Sequence, residues 1–487
     1  LSGYPADDLL YRNKFLEEIS EAITKIKAHC KKIHCLIGHP FREKDLLYNA
    51  ASLLYQNEII ATYKKQCLPN NGVFDEQRYF TAGTKPCVVK INQHKVGVVI
   101  CEDIWHKKPL EQAVSHGAEL ILSPNASPFA IEHHKKRKFI IAEHAKVPIV
   151  YVNLIGGQDD LVFDGGSMVI DPNDTVCAQA KFFEEQLLTV EIKNDMSVVK
   201  IAPPKRLNLE EKVYQALVLG LKDYVHKNGF QDVLLGLSGG IDSALSLAIA
   251  VDALGANHVT AISLPSRYTS ELSYQGAKQQ ADKQGVQYKI YSIENAYNLF
   301  LTTLSDELDT ENAEIAKQNC QARCRAVILM TLSNARNALV LSTGNRSELA
   351  MGYSTLYGDM AGAFCVLKDI PKTLVYALAN FRNQTEEIIP QAVIDRPPSA
   401  ELAHDQKDED TLPPYDVLDE ILAYYINDEL DSNAIIAKGY PAELVKKVVR
   451  QIHINEYKRK QAPPGVRINP KAFGRDRRYP ITSKYKD

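Results

Sequence analysis

The sequence predicts an α/β protein of two domains, the second organised around a doubly wound parallel sheet. Three observations point there. At 487 residues the chain is longer than one hydrophobic core usually organises. Short apolar runs alternate with longer amphipathic stretches through its first two hundred residues. Beyond them, a continuous apolar run from Val233 enters a glycine-rich loop that opens a helix.

In the first domain the runs Val96 to Ile100, Leu120 to Leu122 and Ile149 to Asn153 read as strands between helices, a pattern that continues to about Met196. Two prolines between Lys200 and Leu209 interrupt it. The expected division is therefore 1–199 for the first domain, 200–209 for a linker and 210–487 for the second domain. Leu209, Val213, Leu217, Leu221 and Tyr224 recur every three or four residues, placing them on one face of a helix that ends near Asn228-Gly229. A strand over Val233 to Leu237, a helix from about Ala244 to Leu254 and a strand over Val259 to Leu264 then form a βαβ unit. Proline and charge rise from about Asp395, and the acidic run Asp405 to Asp410 reads by composition as a solvated face or a mobile loop.

Composition excludes several classes. Hydrophobic residues are 45% and charged residues 24%, ordinary for a globular protein. A net charge of -3 offers no electrostatic case for nucleic acid or an anionic membrane, so a polyanionic ligand must be met by local groups. Nine cysteines with no CxxC pair argue against a disulfide framework or a zinc site and for a cytoplasmic setting. No apolar run approaches the roughly 20 residues of a spanning helix.

The loop Gly236-Leu237-Ser238-Gly239-Gly240-Ile241-Asp242-Ser243 carries the first chemistry. Consecutive glycines let backbone approach a phosphate, helix N-terminal amides point at it, and Ser238 and Ser243 can add hydroxyl donors. Asp242 would repel bare phosphate, which implies a bridging Mg²⁺. Without the Gly-Lys-Ser/Thr of a Walker A loop, γ-phosphoryl transfer is disfavoured. The loop resembles that of the PP-loop ATP pyrophosphatases, which implies attack on the α-phosphorus and adenylation of a substrate.

Further segments narrow the resemblance. Leu264 to Glu271, Gln321-Ala322-Arg323, Thr343 to Glu348, Tyr357 to Met360, Arg396 to Leu402 and Ala472 to Pro480 resemble NAD synthetases. The resemblance implies that Asp242 and Glu348 hold Mg²⁺ on ATP, that Thr343, Lys372 and Arg267 contact ATP, and that Asn319, Arg323, Glu348, Asp359 and Lys460 contact deamido-NAD. An adenylate must be shielded from water, so the loops around Tyr268 and Asp405 to Asp410 are expected to order on binding.

In the first domain Cys101 follows the apolar run Val98-Val99-Ile100, at the kind of turn that exposes a nucleophile. With Tyr63 to Asn70, Phe74 to Phe80 and Asn125 to Phe129 it resembles the nitrilase-type amidase domain of glutamine-dependent NAD synthetases, an αββα sandwich. The resemblance implies Cys101 as nucleophile, Lys65 as the oxyanion-stabilising lysine with Lys64 ranked second, and Glu76 as a supporting glutamate. It also implies glutamine contacts at Ser127, His133 and Asn71, though Asn71 stands where the family often has tyrosine and His133 near an expected lysine. The family's general base precedes a Leu-Ser-Gly-Tyr-Pro stretch, so here it is expected upstream of Leu1.

The expected reaction converts deamido-NAD, ATP and L-glutamine to NAD, AMP, pyrophosphate and glutamate, with ammonia passed between sites in a homo-oligomer that the family resemblance extends to an octamer. Two alternatives remain at this level: an ammonia-dependent synthetase with an inactive amidase half, and an amidase half that serves only assembly.

Overall fold

The structure is a computed structural model that describes every residue except Asp174, Glu311, Asn312, Asp405, Lys407 and 484–487. It divides into two compact units, Leu1–Gln158 with Val162–Arg206, and Asp159–Leu161 with Leu207–Asp487. Among the described residues no helix is long and apolar enough to cross a membrane.

The first unit is layered helix, sheet, sheet, helix. Helix α1 (Asn13–Lys27) is followed by the antiparallel strands β1 (Cys35–Glu43), β2 (Leu46–Tyr55) and β3 (Glu58–Lys64). The single turn α2 (Glu76–Tyr79) leads to the hairpin β4 (Cys87–Ile91) and β5 (His94–Val98). Helix α3 (Lys107–Ser115), β6 (Leu120–Asn125), α4 (His133–His144) and β7 (Ile149–Asn153) come next. A short ribbon, β8 (Ile155–Gln158) with β9 (Leu161–Asp164), precedes β10 (Met168–Ile170) and β11 (Val176–Gln179). The larger sheet runs β11-β10-β7-β6-β5-β4, with β5, β6 and β7 parallel.

Alternation along the strands builds the layers. Ala51 and Tyr63 of the small sheet share one core with Val98, Ile121, Ile149 and Met168 of the large sheet. Leu110, Ala113 and Ile141 of α3 and α4 join that core, while Ile23 of α1 packs with Leu54 and Ile37 on the small sheet. This is the αββα sandwich that the resemblance implied.

The second unit begins at α5 (Leu209–Lys227), where the Asn208 side chain accepts the Glu211 amide at 2.7 Å and caps the helix. The periodic residues Val213, Leu217 and Leu221 are buried, as their spacing requires. Then come β12 (Val233–Gly236), α6 (Ile241–Leu254), β13 (Val259–Ser263), α7 (Glu271–Gln284) and β14 (Gln287–Ile290). Helices α8 (Glu294–Thr303) and α9 (Ala313–Arg336) precede β15 (Leu339–Ser342), α10 (Arg346–Met351), β16 (Phe364–Cys365) and α11 (Lys372–Asn383).

The sheet order is β14-β13-β12-β15-β16, all parallel. The strand order reverses between β12 and β15, and at such a switch point the loops beyond the strands' carboxyl ends diverge and leave a crevice. The loops after β12 and β15 are the two motif segments 237–240 and 343–345. Helix α6 is almost wholly buried, which accounts for its apolar sequence on all sides.

Candidate active sites

Cys101 sits just past the end of β5, at φ 46°, and starts a single 3₁₀ turn to Trp105. A left-handed backbone is strained for a residue with a Cβ. The anchoring of the turn offsets that strain. Asp103, fully buried, accepts the Ile100 amide (2.9 Å), the Tyr63 hydroxyl (2.8 Å) and the amides of Gln66 (3.1 Å) and Cys67 (2.8 Å). Burial holds the Cys101 thiol up, to about 11, with Lys65 pulling it down and Glu76 and Glu102 pushing it up. The Ala126 amide also hydrogen-bonds the thiol, so the loop after β6 faces it.

Lys65 and Glu76, only 2% and 4% exposed, pair at 2.8 Å. Glu76 also accepts the Tyr4 hydroxyl at 2.8 Å and the Asn49 amide nitrogen at 3.0 Å. It is thus a buried, multiply bonded carboxylate. Burial works against the Lys65 ammonium, but Glu76 and Cys101 outweigh it and its pKa is raised. Lys64 faces the other way: its ammonium binds Glu43 at 2.7 Å and lies 4.3 Å from the Tyr48 ring centre. Strand alternation separates the two lysines, and only Lys65 reaches the thiol's surroundings.

Ser127 is buried on the loop that faces Cys101. Its amide donates to Asn153 Oδ1 (2.9 Å), and its hydroxyl and carbonyl accept from Arg137 at 3.0 and 2.8 Å. Arg137 is itself buried, paired with Asp164 at 2.7 Å, and also donates to the Pro128 carbonyl at 2.8 Å. His133 packs against Trp105, at the far end of the Cys101 turn. Asn71 is exposed, and its carbonyl accepts the Phe74 amide at 3.0 Å in the turn that leads to Glu76. Asp103, Arg137 and Asp164 do not stand out in the sequence. For Asp103 the available signal was its position two residues after the cysteine.

A thiol with a pKa of about 11 is neutral at neutral pH. Alkylation of Cys101 by iodoacetamide, followed by mass spectrometry of the peptide, is therefore expected to be slow at pH 7 and to rise about tenfold per pH unit up to pH 10. A plateau reached by pH 8 would contradict this.

In the second unit, Gly239 has φ +84°, and a Cβ there would lie 2.2 Å from the Ser273 carbonyl oxygen. Ser238 and Ser243 knit the loop together. Ser238 N donates to Ser243 Oγ (3.2 Å), Ser243 Oγ donates to the Gly240 carbonyl (2.9 Å), and Gly240 N donates to Ser238 Oγ (3.2 Å). Ser243 is buried and its hydroxyl proton is used inside the loop. Gly239→Ala should therefore displace the loop and cost about 1–3 kcal/mol in stability, because alanine is strained at this positive φ. If about 1.4 kcal/mol of that strain falls on the nucleotide-bound loop, ATP titrations should show affinity reduced about tenfold. Native ATP affinity in that variant would refute the prediction.

Beside the loop lies a charged cluster. Lys372, 1% exposed, opens α11 with its ammonium on Asp242 and 3.3 Å from Glu348. A lysine at a helix N-terminus opposes the helix dipole, so the two carboxylates are what hold it there. Asn345 donates to Asp242 Oδ1 (2.9 Å), and its own Oδ1 accepts the Glu348 amide (2.9 Å), capping α10. Burial pushes the Glu348 carboxyl up to about 8, aided by Asp242 and Asp408 and opposed by Lys372.

Asp408 was expected in a solvated or mobile acidic run, and the structure differs. It is 3% exposed, with its amide on the Pro398 carbonyl (3.1 Å) and the Tyr415 hydroxyl on its carboxylate (2.8 Å). Burial raises its pKa, opposed by the Tyr415 hydrogen bond and by the Lys372 charge. Asp405, in the same run, lies outside the described residues.

Thr343 is half-buried directly after β15. Arg267, after β13, is turned to α8, pairing with Glu294 (2.6 Å) and bonding Asn298. Asn319 and Asp359 meet through Thr355, whose hydroxyl donates to Asn319 Oδ1 (2.7 Å) and whose amide donates to Asp359 (2.6 Å). Burial raises the Asp359 carboxyl pKa. Arg323 holds the same loop through the Leu356 carbonyl at 3.2 Å. Of the basic run 458–460, Lys458 bonds the Gly352 and Ser354 carbonyls, whereas Lys460 lies 3.9 Å from Glu456.

Asp242 and Glu348 suit Mg²⁺ as a pair of hard oxygen donors whose remaining partners would be phosphate oxygens and water. Among the described residues, no group of three or more acidic, histidine or cysteine side chains is spaced to hold a metal by itself.

A buried cysteine–lysine site on an αββα sandwich, joined to a glycine-rich nucleotide loop on a doubly wound sheet, defines a class: an amidase coupled to an ATP-using α/β domain. Residues 2–200 match the carbon-nitrogen hydrolase family and residues 213–462 the NAD synthase family. The glutamine-dependent NAD(+) synthetase of Xanthomonas campestris pv. campestris (strain 8004) is 47% identical, covering 100% of this chain and 90% of its own. That of Aquifex aeolicus (strain VF5) is 42% identical, covering 100% and 92%. The solved glutamine-dependent NAD+ synthetase from Acinetobacter baumannii, in complex with ADP, is 43% identical with a TM-score of 0.79, covering 98% of this chain and 90% of its own. The chain belongs to the glutamine-dependent NAD(+) synthetases, ligases that form a carbon–nitrogen bond.

Proposed function

We propose that this chain amidates deamido-NAD to NAD, consuming ATP and drawing nitrogen from L-glutamine, with AMP, pyrophosphate and glutamate as the other products. The observation that carries the reading is the presence in one chain of two preformed charged sites, Cys101 with Lys65 and Glu76, and the 238–243 loop with Asp242, Glu348 and Lys372.

In this reading the Cys101 sulfur attacks the glutamine carboxamide, the thiol proton leaves with the nitrogen as ammonia while the thioester forms, and water then hydrolyses the thioester to glutamate and the free thiol. The Lys65 ammonium faces the oxyanion, and the Ala126 amide, already on the sulfur, keeps the thiol aimed. Ser127, His133 and Asn71 supply the surroundings of the glutamine. In the second domain the loop amides and Lys372 cradle the ATP phosphates, Thr343 and Arg267 border the nucleotide, and Asn319, Arg323, Asp359 and Lys460 border deamido-NAD. Mg²⁺, held by Asp242 and Glu348, would neutralise phosphate charge. The deamido-NAD carboxylate attacks the α-phosphorus and pyrophosphate departs, Lys372 stabilising the charge that builds on it; ammonia then attacks the carboxyl carbon of the adenylate, loses a proton and expels AMP. The domain boundary at 200–209, internal passage of ammonia, a cytoplasmic setting and homo-oligomeric assembly belong to the same reading.

The test is turnover of the full-length enzyme, glutamine against ammonium. Efficient synthesis with both supports the reading. Synthesis with ammonium alone would overturn the glutaminase half and favour an ammonia-dependent synthetase.

A further inference from the structure

We propose that Asp103 is a positioning residue for glutamine hydrolysis, its one carboxylate setting the placement of Lys65 relative to Cys101. The inference rests on the amidase reading of the first domain. Each oxygen of this carboxylate serves two donors. Oδ1 accepts the amides of Gln66 and Cys67, the two residues that follow Lys65. Oδ2 accepts the Ile100 amide, immediately before Cys101, and the Tyr63 hydroxyl, two residues before Lys65.

Capping the 3₁₀ turn would need only the Ile100 bond, and an asparagine or serine could supply it. The bonds to residues 63, 66 and 67 span 36 to 40 positions of sequence and do nothing for the turn. They tie the end of β3 to the end of β5. A fully buried carboxylate is an expensive way to make such a tie, and no ion pair within salt-bridge distance compensates it among the described residues. What the site requires is an acceptor with no donor of its own, because four donors converge on it. The Cys101 backbone, at φ 46°, needs such an anchor to stay in its left-handed conformation.

Asp103→Asn is therefore a sharp test. Turned one way, its NH₂ group faces the Gln66 and Cys67 amides and releases the Lys65 segment; turned the other, it faces the Ile100 amide and releases it while the Tyr63 hydroxyl rotates to accept, so the variant cannot hold both strand ends. In the full-length enzyme, glutamine-driven kcat is expected to fall about 10²-fold, the usual consequence of an ångström-scale misplacement. KM for glutamine should stay within about threefold, and ammonium-driven synthesis should be unchanged, since neither depends on the Lys65–Cys101 placement. Alkylation of Cys101 by iodoacetamide at pH 9 should slow, because the thiolate loses Lys65 as its cation. A kcat within about twofold of native would overturn the inference. So would faster alkylation, the mark of a pocket that has merely loosened and hydrated.

If Asp103→Asn does not accumulate folded, Tyr63→Phe decides. It removes one of the four donors, and glutamine-driven kcat should fall about fivefold at unchanged KM, the worth of one hydrogen bond; native kcat would overturn the inference. Cys101→Ala run alongside separates the two ideas. If glutamine-driven synthesis survives that change, the amidase reading fails, while the alkylation result, which needs no turnover, still judges Asp103.

Discussion

Lys372→Met is expected to abolish NAD formation with either nitrogen donor, lowering kcat by about 10²- to 10³-fold or more. The methionine keeps much of the volume of the stem and removes the buried cation that lies between Asp242 and Glu348. Two consequences follow from the same charge. Transition-state charge on the departing pyrophosphate loses its partner, so the loss should appear equally with glutamine and ammonium. Two carboxylates are also left facing each other without compensation, so the Glu348 carboxyl, already raised by burial, should rise further and stay protonated over a wider range. Carbon-13 NMR of labelled glutamate in the Glu348→Gln background, compared with the parent, would assign that titration. A variant that retains ammonium-driven synthesis at more than about a tenth of the native rate would show that Lys372 is a structural ion-pair partner only.

Lys65→Met is expected to remove glutamine-driven synthesis, by about 10²- to 10³-fold, and to leave ammonium-driven synthesis intact. Cys101→Ala should do the same more completely, by about 10⁴-fold or more, because it removes the nucleophile that we propose. The two variants part company in stability. Cys101→Ala removes a thiol from a pocket and should cost little. Lys65→Met strands the buried Glu76 carboxylate without its cation, which costs about 3–5 kcal/mol in comparable cases. Calorimetry of the full chain should therefore show a lowered first transition for Lys65→Met, and Lys65→Met/Glu76→Gln should recover much of it without recovering activity. Equal thermal stability of the Lys65 and Cys101 variants would contradict the buried pair at 2.8 Å.

Features that local pattern governs are legible in the sequence. The β12–α6–β13 unit follows from an apolar run, two glycines and a helical stripe, each of which acts over a few residues. The helix from Leu209 follows from its spacing, and the structure adds its Asn208 cap. The strand at Ile149–Asn153 matches residue for residue. Cys101 was marked by its place at the end of such a run, and the motif segments around it carried the resemblance to the family.

Charge compensation was not legible, because it joins residues far apart in sequence. Asp408 sits in a run of acids whose composition predicts solvent. In the fold it is buried, with the Tyr415 hydroxyl on its carboxylate and the Lys372 charge nearby. Glu76 reads equally well as a surface carboxylate until Lys65, Tyr4 and Asn49 are placed around it. Adjacent lysines at 64 and 65 are equivalent in composition, and strand alternation sends one to Glu43 and the other to Glu76.

The two-domain α/β plan, the glycine-rich loop and the nucleophile candidate are thus written in the order of the residues, because periodicity, glycine and chain direction are properties of neighbours. Which ionisable groups are buried together is settled only when the chain has folded: Lys65 with Glu76, Lys372 with Asp242 and Glu348, and Asp103 between the ends of two strands. A charge keeps its ordinary behaviour in water and changes it only when the fold removes the water and supplies a partner, and that partner comes from anywhere in the chain.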